Sequence, residues 1–96
     1  RRSLVTGDFF AVLGAEPLLG RALRPEDDAA GAAPVVILSH RGWQRRFGGA
    51  PDVIGRRLAT HEDGLTATVV GVMPPGLEYP RGVDAWIPVR VVVPPE

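Results

Sequence analysis

Apolar residues in this chain come in short runs punctuated by glycine, proline and charge, and the clearest pattern lies at residues 34–49, PVVILSHRGWQRRFGG. Val35, Val36, Ile37 and Leu38 form an unbroken, largely β-branched run after Pro34, the pattern of a strand buried on both faces. Ser39 follows in the position of a helix N-cap, where its hydroxyl can accept from a backbone N–H two or three residues on. His40, Trp43 and Phe47 then fall at i, i+3 and i+7, along one face of a short helix. Gly48 and Gly49 end it, since glycine adopts the left-handed conformation of a C-cap. Arg45 and Arg46 occupy the last turn, where cations suit the helix dipole. A helix this short does not stand alone, so Trp43 and Phe47 must pack on something.

The same reading extends over the rest of the chain. Residues 2–6 form a short strand. Thr6, Gly7 and Asp8 supply capping residues for a helix whose apolar face is Phe9, Val12 and Leu13, closed by Gly14. Residues 18–23 suit either a strand or an extended loop, with the balance toward a short extended segment. Pro25 opens an acidic turn or the first turn of a short helix. Val53 and Ile54 make an apolar pair tucked inward from a turn. Residues 56–61 and 66–73 are the two arms of a hairpin around Glu62, Asp63 and Gly64, with Leu58 and Thr60 on one face. Residues 84–93 form a last extended segment, which Pro88 assigns to a sheet edge. Together these elements describe an α+β class: a small mixed sheet with two short helices, as one domain over residues 1–96.

Composition narrows the function classes. The 96 residues carry 11 basic and 11 acidic side chains, a formal net charge of zero, which removes the electrostatic case for a nucleic-acid binder. There is no cysteine, hence neither disulfide framework nor thiolate chemistry. No apolar run approaches the roughly 20 residues of a membrane span. The sequence opens on Arg1 rather than an initiator Met and has the look of a piece of a longer protein.

Candidate chemistry is sparse. Ser39, His40 and the Asp27–Asp28 pair invite a Ser-His-Asp reading. Adjacent residues at a helix start point apart, however, and no G-x-S-x-G elbow surrounds the serine, which favours the cap. His40 and His61, with Glu62, Asp63 or the acidic residues 26–28, are too few and too irregularly spaced for a metal motif. Gly48–Gly49, Gly71 and Gly76 match no phosphate-binding loop and stand as helix-stop and turn residues. Arg41, Arg45, Arg46, Arg56 and Arg57 form the main basic cluster around Trp43. It is a solvated face by default, with residues 26–28 available to pair with it across the fold. Phe9, Phe10, Phe47, Trp43 and Trp86 have the spacing of core residues rather than a ligand box.

The order of the segments carries more. The strings TGDFFAVLG at 6–14, PLLGR at 17–21 and PEDD at 25–28 are followed by VVILSHRGWQRRFGG at 35–49 and VIGR at 53–56. TVVGVMP at 68–74 and DAWIP at 84–88 complete the set. This ordered set resembles the MacB-like periplasmic core domain of ABC-transporter permeases of the MacB/FtsX type. WQRRFGG and VVGVMPPG look most like the large orphan permeases with a duplicated permease unit.

That resemblance implies a fragment of the larger periplasmic domain, its Sabre-like lobe, in an inner-membrane protein. It implies a non-enzymatic role, with no catalytic, cofactor or metal residues to carry over and no assigned binding residues. The module would serve interaction and mechanical transmission in export or efflux. Implied partners are the rest of the permease with its transmembrane helices, a cytoplasmic ATPase acting through the parent, and a periplasmic partner protein, but no nucleic acid. A competing reading is a small-ligand or peptide-binding α/β module with Trp43 or Trp86 lining an apolar cleft.

Overall fold

The computed structural model describes residues 2–28, 33–59, 66–77 and 81–88. Among them the chain runs β1 (Arg2–Val5), α1 (Phe9–Leu13), β2 (Leu19–Gly20), a 3-10 turn (Pro25–Asp28), β3 (Val35–Leu38) and α2 (His40–Phe47). It continues through β4 (Arg57–Ala59), β5 (Thr66–Val72) and β6 (Ala85–Pro88). The six strands form one mixed sheet in the order β1-β6-β3-β5-β2, with β4 also on β5. β3 is parallel to β5 and antiparallel to β6, while β1 is parallel to β6.

Strand periodicity divides the core into two layers. Val36, Leu38, Ala85 and Ile87 face one way with Val53, Ala67, Val69 and Val72, and Trp43 and Phe47 of α2 pack there. Val35, Ile37 and Trp86 face the other way with Leu23, Met73 and Val83, under Phe9 and Phe10 of α1. Burying both faces explains why β3 and β6 lack polar alternation. The register between β3 and β5 slips by one residue after Val36, Val36 pairing Val69 but Ile37 pairing Gly71. The extra residue, Val70, joins the α1 side, and the slip returns Val72 to the face of Val69.

Several expectations need correction. β6 is no edge strand: it lies between β1 and β3, and Pro88 is fully buried opposite Val5. A proline fits because it stands at the strand's end rather than mid-ladder. In α1 the anchor is Phe10, fully buried and edge-on to Trp86 at 5.0 Å, whereas Val12 is 77% exposed and Leu13 is exposed too. A helix of five residues leans on the core by its first turn, and Gly14 turns the chain away before a second contact forms. Asp8 stands at the N-cap without a side-chain cap bond, its carboxylate accepting from the Thr6 hydroxyl instead. Of the pair at 53–54, only Val53 is buried. β4 spans Arg57–Ala59 with Leu58 half-buried, while Thr60 and the hairpin residues 62–64 lie outside the described residues.

Candidate functional site

Ser39 is fully buried, and its hydroxyl bonds on both sides of the joint between α2 and the sheet. Its hydroxyl accepts from the Gly42 N–H at 2.9 Å, capping α2 as the sequence predicts. The same hydroxyl donates to the Val83 carbonyl at 2.7 Å, and the Ser39 N–H donates to the Asp84 carbonyl at 2.9 Å. The N-terminus of α2 is thereby fixed to the segment entering β6. Gly42 completes the joint: a Cβ there would collide with the Asp84 carbonyl, so only glycine permits this approach.

Asp84 carries charge into the same place. It is 8% exposed, and its carboxylate lies 3.8 Å from both Arg41 Nε and Arg45 Nη1. Two arginines of the basic cluster therefore serve this joint. A third, Arg56, pairs with Asp52 at 3.2 Å and lies over the Phe47 ring at 5.9 Å. Of the acidic residues 26–28 available to pair with this cluster, Asp27 pairs locally instead. Arg21 donates two hydrogen bonds to the Asp27 carboxylate, at 2.8 and 3.1 Å, and the Arg24 N–H donates a third at 2.8 Å. Burial pushes the Asp27 carboxyl up, but these bonds and the charges of Arg21 and Arg24 outweigh it and hold the carboxyl below its ordinary value.

The remaining candidates occupy structural positions. The His40 ring meets Trp43 edge-on at 5.4 Å, Ser39 is committed to Gly42 and Val83, and Asp27 is committed to its arginines, so the three do not converge. Among the described residues no three acidic, histidine or cysteine side chains gather where a metal could bind. His61, Glu62 and Asp63 lie outside them. Gly48 caps α2 in the left-handed region, as expected of a helix stop.

The sequence reading missed Gly42 and Asp84. Gly42 sits mid-helix where glycine is costly, which is a signal of close packing. Asp84 beside a strand carries no such signal.

A shallow cleft of about 330 Å³ opens where β2 and β4 meet along β5, lined by Gly20, Arg21, Ile54, Gly55, Val69 and neighbours. Neither tryptophan lines it. Trp86 lies in solid core, and half-buried Trp43 donates its indole N–H to the Ala50 carbonyl at 2.8 Å.

Solved structures share this fold. The chain is similar to the periplasmic region of MacB from Actinobacillus actinomycetemcomitans, with a TM-score of 0.74, 19% identity, and coverage of 95% of this chain and 38% of that one. It is similar also to the extracellular domain of the noncanonic ABC-type transporter YknZ from Gram-positive bacteria. There the TM-score is 0.73 and the identity 19%, over 95% of this chain and 44% of that one. The chain thus spans less than half the length of either. No curated protein matches it. The family model for the MacB-like periplasmic core domain matches residues 2–94, and the chain belongs to that family.

Proposed function

We propose that this chain is an extracytoplasmic part of a MacB-like ABC-transporter permease of the inner membrane, a non-catalytic module for interaction and for transmitting motion in export or efflux. The observation that carries the reading is the family match over residues 2–94, supported by the shared fold. On this reading the chain is one lobe of a larger periplasmic domain, the Sabre-like one. Its partners are the parent's transmembrane helices, a cytoplasmic ATPase coupled through them, and a periplasmic protein. No helix of the described residues is long and apolar enough to cross a membrane. The reading assigns the membrane spans to other parts of the parent. The joint of Ser39, Gly42 and Asp84 suits a part that moves as a body, because it ties α2 to the sheet through backbone contacts.

The test is a distance measurement in the membrane-embedded parent. A label at Gln44→Cys, on the exposed side of α2, is paired with one at the membrane end of the parent. The reading predicts a distance change when ATP is supplied on the cytoplasmic side, and none when the ATPase is inactivated. A distance indifferent to ATP contradicts transmission.

A further inference from the structure

The direction of the strands suggests what the sheet does under load. β1 and β6 are parallel and paired at four positions, Arg2 with Ala85, Ser3 with Trp86, Leu4 with Ile87 and Val5 with Pro88. The chain leading into β1 therefore arrives at the end of the ladder where β6 begins, and the chain following Pro88 leaves from the opposite end. Tension between those two points runs along the strands. In that geometry the backbone bonds of the pair are loaded together and must break together. Tension applied at one end of a ladder breaks them one after another instead.

We propose that the β1–β6 pair is a shear clamp, which makes this lobe transmit tension as a rigid body rather than extend. Three further features fit the role. β6 is held on its other side by β3, Ile37 pairing Trp86 and Leu38 pairing Ala85, so it cannot slide without breaking a second ladder. Trp86 and Ile87 are fully buried on opposite faces, so sliding drags both from their layers. The segment entering β6 is pinned as well, by the Ser39 bonds to the Val83 and Asp84 carbonyls. The inference draws on the function proposed above only for the source of the load; the clamp itself follows from strand direction.

Force spectroscopy on the full 96-residue chain tests it without reference to the membrane. The chain has no cysteine, so a single introduced thiol defines a pulling point. Pulling through the two chain ends loads β1 and β6 in shear. Pulling from Thr6→Cys and the C-terminal end loads the pair from the one side where Val5 and Pro88 meet. The expected result is a rupture force several-fold higher in the first geometry. Equal forces, or the reverse order, overturn the clamp.

Gly48→Ala gives a second readout, because Gly48 is the exposed, left-handed C-cap of α2, with open space around its Cβ and no place in either core layer. It should lower thermal stability and leave the end-to-end rupture force unchanged. A rupture force that falls in step with stability shows that the force reports the whole fold rather than the clamp, and overturns the proposal. A domain that fails here while still moving with ATP in the parent refutes the clamp alone.

Discussion

The hydroxyl of Ser39 donates to the carbonyl of Val83 at 2.7 Å, across a sequence separation of 44 residues. A residue that caps a helix locally thus also bonds to the loop entering a distant strand. Ser39→Ala removes the cap and leaves a buried Val83 carbonyl without this donor. The combined loss should be about 2–3 kcal/mol. Urea unfolding checks it, with a lower midpoint expected at an unchanged slope. A loss no larger than that of an ordinary exposed cap, about 0.5 kcal/mol, would show that the Val83 bond contributes nothing.

Gly42→Ala separates packing from helix propensity. In an exposed helix the change gains about 1 kcal/mol. Here the added methyl meets the Asp84 carbonyl, backbone that cannot step aside cheaply, so a net loss of about 3 kcal/mol is expected. Gly48→Ala is the comparison: its Cβ would meet open space, and only the left-handed φ of 61° is strained, at about 1 kcal/mol. Thermal melts that rank the two in the opposite order contradict the α2–β6 joint.

Acid should weaken the domain through Asp27. Its carboxyl is held low in the folded chain, so the unfolded state binds the proton more readily. The stabilisation is therefore complete above the unfolded carboxylate range, near pH ~4, and is lost as pH falls through the lower folded value. The effect is moderated because Arg21 remains about one-third exposed and its charge is partly screened. Asp27→Asn should lower stability at neutral pH and flatten the acid limb of the stability curve. An unchanged acid limb in the variant would assign acid sensitivity to other carboxylates.

Trp86 tests the two-layer core. Trp86→Ala should cost about 3–5 kcal/mol, since the side chain is fully buried against Phe10. Trp86→Phe should recover much of that by keeping an aromatic edge contact. Equal losses in the two variants, measured by denaturant unfolding, would contradict the packing described.

Local rules carried the sequence reading where local interactions decide the outcome. Val35 to Leu38 reveal a doubly buried strand by composition, Ser39 reveals the cap and Gly48 the stop, and all three occupy those places. The reading failed where a residue's fate depends on a distant partner. Pro88 suggested an edge, but β1 and β3 enclose β6. Phe9, Val12 and Leu13 share a helical face by spacing, yet Phe10 alone of α1 is buried, because Trp86 waits above it. The arginine-rich helix looked like a plain solvated face, and Asp84 was invisible as its counter-charge until β6 was placed beside α2. The functional reading came from the order of motifs, since no constellation of reactive side chains converges among the described residues.

The most direct test of the central claim is the side of the membrane on which this domain stands. The parent is labelled in cells with a membrane-impermeant maleimide at Gln44→Cys, any outer barrier having been opened, with other accessible cysteines removed. The account predicts labelling while the inner membrane is intact, together with an apolar span of about 20 residues on each side of the domain. Labelling only after the inner membrane is broken, or a parent without such spans, would contradict it.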